Sequence, residues 1–196
     1  FLIVADCTGH GVPGAFMSLV GNDYLHQIIT DKNIRDTAIA ITRLNERVIS
    51  SLRKRTNAGI RDGMDLAMCV IDTKRNELMF TGAKRPALVF RDGEIITLES
   101  DRLAVGEIPG ENEFFTSQTI PLEVGDEIYL YSDGLTDQFG GGADKKWKVV
   151  RFRELLKQFA GESMEDKRRL IERAFLDWQG EEPQTDDVCL LGVRVG

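Results

Sequence analysis

The chain opens on an apolar run, Phe1-Leu2-Ile3-Val4-Ala5, that stops at Asp6. A short apolar run bounded by a charge and a glycine-rich turn, here Thr8 to Gly14, predicts a buried strand. A helix is predicted over about 13–30. Pro13 suits a first turn, because its missing N–H has no partner there, and Phe16, Leu19, Val20 and Ile28 keep helical spacing. A second helix is predicted over about 34–55. Ile34, Ala38, Ile41, Leu44, Val48 and Leu52 recur at steps of three or four, with charges on the opposite face.

Beyond the boundary at 57–63 the pattern shortens. Strands are predicted over 66–72, 77–83, 87–91, 94–98, 114–120 and 127–132. Asp92-Gly93 marks a tight hairpin, and Gly125-Asp126 a further turn. Short strands joined by short turns predict antiparallel pairing. Helices over about 149–160 and 164–178 and an apolar strand over 188–195 complete the order. The loop 139–148, with three successive glycines and three lysines, is expected to be irregular. Helices grouped around an antiparallel block predict an α+β layered fold. A chain that begins inside an apolar run is expected to be a piece of a longer protein, with an upstream strand.

Composition narrows the function. With 196 residues, 42% hydrophobic and 29% charged, the chain is expected to form one globular domain over 1–196. Its net charge of −7 makes nucleic acid a poor partner. Cys7, Cys69 and Cys189 are odd in number and far apart, and read as buried thiols of a cytoplasmic protein. No apolar run approaches the roughly 20 residues of a membrane span. The parent protein can still be membrane-tethered.

Three acidic positions share one context. Asp6 ends the first strand, Asp133 follows Ile128-Tyr129-Leu130-Tyr131-Ser132, and Asp186 and Asp187 precede Val188-Cys189-Leu190-Leu191. Each lies at the end of a core strand, where a carboxylate is held rigidly yet stays accessible. Gathered at one rim, such carboxylates repel one another unless a cation neutralises them, and Mg²⁺ and Mn²⁺ take oxygen ligands of this kind. Singly, an Asp at a strand end is more often a turn former or a helix cap, and a metal site requires all three to converge. Asp137 follows Asp133 by one helical turn and is either a second carboxylate on that face or a cap. Gly9, Gly11 and Gly14 suit close approach to a ligand or merely a tight turn, and His10 between them is a ligand or structural. Arg53-Lys54-Arg55 suits a solvated helix C-terminus. Lys145, Lys146 and Lys148 are placed to steer an acidic phosphoprotein.

Three motifs occur in order: Asp6-Cys7-Thr8-Gly9-His10-Gly11, Ser132-Asp133-Gly134-Leu135-Thr136-Asp137 and Thr185-Asp186-Asp187-Val188. With the intervening helix pair, Asp62-Gly63-Met64 and Phe80-Thr81-Gly82-Ala83, the chain resembles the SpoIIE/RsbU-like branch of the metal-dependent PPM (protein phosphatase 2C-type) phosphatases, including SiaA-like members. The resemblance implies an α-β-β-α sandwich of two antiparallel sheets flanked by helices, N-terminally truncated here. It implies hydrolysis of phosphoserine or phosphothreonine by metal-activated water, with two Mn²⁺ or Mg²⁺ ions and a weaker third. By motif match Asp6 bridges both ions, the Cys7 carbonyl binds one, and Asp133 and Asp186 bind the other. Asp137 matches a ligand of the third ion, and Asp187 is a less direct ligand. The family's additional Asp, on an upstream strand, has no counterpart in the chain. The implied partners are a phosphorylated anti-sigma-factor antagonist of STAS type and an upstream sensor, HAMP or receiver domain that repositions the helix pair. A homodimer stays open. Two alternatives remain: a pseudophosphatase that binds phosphoproteins, and an aspartyl-nucleophile phosphotransferase, which requires a parallel sheet around Asp6.

Overall fold

The computed structural model describes residues 1–9, 11–31, 34–53, 63–142 and 145–196. His10, Lys54-Arg55 and Asp62 lie outside them. The chain folds into two compact units, one of residues 1–87 and 98–122, the other of residues 88–97 and 123–196.

The first unit holds strands β1 (Leu2–Cys7), β2 (Met64–Asp72) and β3 (Glu77–Ala83), and helices α1 (Gly11–Thr30) and α2 (Thr37–Arg53). Strands β4 (Ala87–Arg91) and β5 (Glu94–Leu98) come next in the chain, then β6 (Gln118–Pro121). The sheet order is β1-β2-β3-β6, antiparallel at every pairing. That pairing excludes the parallel sheet of the aspartyl-nucleophile alternative around Asp6. The register sets Asp6 opposite Asp65 and Cys7 opposite Met64. The predicted 114–120 strand shrinks to β6, because the Asp101 carboxylate takes both the backbone N–H and the hydroxyl of Thr116. Phe115 enters the core there, while Phe114 faces solvent.

Helix α2 begins at Thr37 rather than at the predicted 34, and buries Ile41, Leu44 and Val48 of the predicted stripe, with Ala38 and Leu52 packed against them; Ile34 is buried in the segment just before the helix. Asp36 caps its start, accepting the N–H groups of Ala38 and Ile39 at 2.8 and 3.0 Å. Helix α1 differs from the prediction. Ile28 is buried as predicted, but Leu19 is 69% exposed and Met17 is buried in its place. Gly21 packs on the tip of Met64, where a Cβ would lie 2.5 Å from Cε. Fully burying a Leu, Ile or Met contributes about 1.5–3 kcal/mol each.

The second unit adds β7 (Glu127–Tyr131), α3 (Asp133–Asp137), β8 (Phe139–Gly140), β9 (Lys145–Lys146), α4 (Lys148–Gln158), α5 (Met164–Gln179) and β10 (Leu190–Arg194). Its main sheet runs β10-β7-β4-β5. Asp92 and Gly93, both with positive φ, close the β4–β5 hairpin as predicted. The loop expected to be irregular instead carries the β8–β9 pair. Phe152 packs edge-on against Tyr129 and Tyr131 at 5.8 and 5.5 Å. Among the described residues no helix is long and apolar enough to cross a membrane.

Strand β7 begins with a buried ionic cluster. Glu127 accepts Lys167 Nζ at 2.7 Å, Arg194 at 2.7 Å and the Tyr129 hydroxyl at 2.5 Å. Beside it, Asp126 takes Arg91 through both carboxylate oxygens at 2.7 and 2.6 Å. Burial pushes both carboxyls up, but their donors outweigh it and hold both below the usual range. Their stabilising contribution is therefore full above the ordinary carboxylate range, about pH 4 to 4.5, and is lost as pH falls through the depressed folded values. Thermal melting from pH 7 to pH 3 is expected to fall steeply at the acid end, and less steeply in Glu127→Gln.

Candidate metal centre

Asp6 sits half-buried near the end of β1, across the ladder from Asp65. Like charges directly opposite destabilise a sheet by roughly 0.2–1 kcal/mol. Arg85 offsets this, its Nη2 lying 2.8 Å from Asp65 Oδ2. Beyond Cys7, Thr8 clamps the turn: its N–H and hydroxyl both donate to the Gly63 carbonyl, and its hydroxyl accepts the Gly63 N–H at 2.7 Å. Gly9 takes φ +94°, and a Cβ on Gly14 would come within 2.5 Å of the Gly9 carbonyl oxygen. The turn thus folds back under the start of α1, which fixes the Asp6-Cys7 segment.

Burial, reinforced by the Asp6 charge, pushes the Cys7 thiol up against the opposing hydrogen bond from Ser18. A neutral thiol is a poor nucleophile, so the chemistry this position offers is its backbone carbonyl. Cys69 is buried and pushed up to about 12, as expected of a core thiol. Cys189 is exposed and Cys7 only partly buried, against the expectation of buried thiols.

In the second unit Ser132 fastens the last two motifs together. Its hydroxyl donates to the Asp187 carbonyl at 2.8 Å and accepts the Cys189 N–H at 2.8 Å. Its own N–H donates to the Cys189 carbonyl at 3.0 Å. Gly134 closes the contact: a Cβ there would lie 2.3 Å from the Asp187 carbonyl oxygen. At the far end of α3, buried Gln138 donates to the Pro183 carbonyl and accepts the Thr185 N–H. Ser132 and Gln138 therefore bracket α3 and hold the 183–189 segment against it.

Asp133 is half-buried, with Oδ1 shielded from solvent. Asp186 and Asp187 are exposed, and Asp186 Oδ1 accepts the Asp187 N–H at 2.7 Å. Asp137 is engaged by Lys146 at 2.7 Å. Ser132→Ala removes two hydrogen bonds and strands their partners, so a loss of about 1–3 kcal/mol is expected in urea denaturation. Gly134→Ala is expected to separate Asp133 from the 186–187 backbone, and so to weaken divalent-cation binding at unchanged helix content by circular dichroism.

The donors are carboxylate and carbonyl oxygens, a type that fits hard divalent cations, but only Asp6 and Cys7 end a strand: Asp133 opens α3, and Asp186 and Asp187 lie in the segment before β10, which begins at Leu190 rather than at the predicted 188. Among the described residues no three His, Cys, Asp or Glu side chains gather closely enough to hold an ion as they stand. The structure brings Asp133 beside the Asp186-Asp187 backbone and places Asp6 and Cys7 consecutively on β1. The sequence reading missed the roles of Ser132, Gln138 and the Asp65–Arg85 pair. Ser132 stood in a quoted motif, but nothing in its spacing announced that its side chain would bond two residues more than fifty positions away.

Comparison with solved structures sets the class. The SiaA-PP2C domain of Pseudomonas aeruginosa superposes with a TM-score of 0.88 at 29% identity, covering 99% of this chain and 75% of that one. The PP2C phosphatase domain of SpoIIE from Bacillus subtilis, with a fragment of its regulatory domain, gives 0.74 at 21% identity, covering 98% and 52%. The catalytic domain of the phosphatase PstP, in complex with two manganese ions, gives 0.69 at 19%, covering 99% and 87%. No curated protein sequence matches the chain. The chain has the architecture of the PP2C-type domains. It belongs to the SpoIIE family, whose profile, Stage II sporulation protein E (SpoIIE), matches residues 1–196. The chain spans three quarters of the SiaA-PP2C chain but only about half of the SpoIIE one.

Proposed function

We propose that the chain hydrolyses phosphoserine or phosphothreonine on a phosphorylated STAS-type anti-sigma-factor antagonist, and so acts in a partner-switching pathway. The observation that carries this reading is the Ser132 fastening, which holds Asp133 beside the Asp186-Asp187 segment. Asp6, Asp133 and Asp186 are the proposed ligands of two Mn²⁺ or Mg²⁺ ions, with the Cys7 carbonyl as an additional donor and Asp187 in a supporting place. When bound, such cations neutralise charge on phosphoryl oxygens and lower the pKa of water.

The chain's own part is positional. Thr8 holds the Cys7 carbonyl through its bonds to Gly63, and Gly14 packs the turn from below. Ser132 and Gln138 set the angle at which α3 presents Asp133. Burial pushes the Cys7 thiol up and so disfavours its thiolate, which agrees with the proposal that water is the attacking group. A cytoplasmic location is part of the proposal, and Cys7, Cys69 and Cys189 stand as thiols rather than as a disulfide. Upstream sensor, HAMP or receiver domains are proposed to act on α1, whose first turn is joined to the Asp6-Cys7 segment.

Asp137 is the proposed ligand of a weaker third ion, and Lys146 competes with that ion for it. Lys146→Ala is expected to tighten the weakest Mn²⁺ step in a calorimetric titration. The reading as a whole is tested by phosphate release from a phosphoserine STAS protein, with and without Mn²⁺. Mn²⁺-dependent release supports it. Stoichiometric binding of the phosphoprotein without release, at saturating Mn²⁺, supports the pseudophosphatase alternative instead.

A further inference from the structure

A groove of about 460 Å³ opens in the second unit at the start of α4. Its walls are Trp147 and Trp178, whose rings meet edge-on at 6.0 Å. Four cations line it: Lys145, Lys146, Lys148 and Arg151, against a single acidic lining residue, Glu154. The Arg151 guanidinium lies 3.9 Å from the Trp178 ring centre. The groove is built rather than incidental. Gly141 donates its N–H to the Trp178 carbonyl, and a Cβ on Gly141 would strike the Trp178 ring at 2.5 Å.

The charges are arranged against the fold's own interest. A helix N-terminus carries a partial positive charge, so cations placed there are unfavourable. Helix α4 has no acidic residue in its first turn and no side-chain cap, and Lys148 adopts φ +64°. The chain is acidic overall, at −7, so the cluster does not follow from bulk composition. Trp147, on the groove wall, is 2% exposed, and its indole N–H is buried with no acceptor among the described residues. The uncapped helix start and the clustered cations both become favourable when an anion enters.

We propose that this groove docks an acidic peptide segment of the phosphoprotein substrate, outside the phosphoserine or phosphothreonine itself. For its partner the proposal rests on the phosphatase reading. A concave aromatic-walled cleft of this volume takes several side chains of an extended peptide. The acidic balance of the chain disfavours nucleic acid, and a cleft offers less to a membrane surface than a convex patch does. Lys146 links the groove to α3, since it also pairs with Asp137. Docking there therefore tethers substrate beside the helix that carries Asp133.

Both tryptophans of the chain lie in this groove, so intrinsic fluorescence reports on it directly. Titration with an Asp/Glu-rich dodecapeptide is expected to give a saturable change. Lys145→Glu/Lys148→Glu is expected to weaken that binding about tenfold or more, and an Arg/Lys-rich dodecapeptide is expected to give none. The proposal is overturned if the acidic peptide gives no saturable change, if the double variant binds it equally, or if phosphatidylglycerol vesicles produce the response and the peptide does not. Mn²⁺-dependent p-nitrophenyl phosphate hydrolysis by the unaltered chain is measured alongside. Hydrolysis without peptide binding sinks the groove and leaves the phosphatase reading intact. Peptide binding without hydrolysis supports the groove as a docking surface and removes the phosphatase reading.

Discussion

Asp133→Asn is expected to lower Mn²⁺-dependent phosphate release by about two orders of magnitude or more, the scale seen when one preorganised electrostatic group is deleted from a site. The substitution keeps the size of the side chain and removes its charge. Ser132 still fastens the neighbouring backbone to Asp187 and Cys189, and Gly134 still packs on the Asp187 carbonyl. The fold should therefore survive, with an unchanged melting temperature. If activity drops only because the protein melts, the loss reports on α3 and not on the carboxylate. Equal activity in the two proteins would remove Asp133 from the site.

Lys167→Ala is expected to destabilise the second unit by about 3–5 kcal/mol, the usual consequence of leaving a buried charge without its partner. Lys167 and Glu127 are both nearly inaccessible, at 1% and 4% side-chain exposure, and lie 2.7 Å apart. Arg194 remains beside Glu127 after the change, which places the expected loss at the lower end, about 3 kcal/mol. For a chain of this size that is a fall of roughly 6–12 °C in melting temperature. Glu127→Gln/Lys167→Met should recover most of it, because neither residue then carries an uncompensated charge. A double variant no more stable than the single one would mean that the loss does not come from the uncompensated charge, and would point instead to contacts only the ammonium makes, such as its place 5.0 Å from the Phe90 ring centre.

The elements that sequence predicts best are those in which one local signal dominates. Strands over 77–83, 87–91 and 94–98 have the bounds read from alternation and the Asp92-Gly93 turn. The buried face of α2 keeps the predicted periodicity at Ile41, Leu44 and Val48, although the helix begins after Ile34. Where the reading failed, a long-range contact overrode a local one. Leu19 was expected inside from its helical spacing, but α1 turns Met17 and Ile28 to the core and leaves Leu19 to solvent. The 139–148 loop was expected to be irregular because of its glycines, yet Gly140 and Gly141 are there to fit beneath Trp178, some 38 residues on. The placement of Asp6 near the end of β1 and of Asp133 just after β7 was legible for the same reason as the strands were. The fastening that brings Asp133 to the 186–187 segment was not, since Ser132 shows no pattern of its own until the chain has folded.

The account stands most directly on divalent-cation binding by specific carboxylates. Calorimetric titration of Mn²⁺ into the chain, and into its Asp6→Asn, Asp133→Asn and Asp186→Asn variants, measures that without reference to turnover. The account predicts saturable binding by the unaltered chain, weakened about tenfold or more in each variant, as charged ligands are withdrawn from a hard cation. Binding of equal affinity in all four proteins would place the ions elsewhere and contradict it.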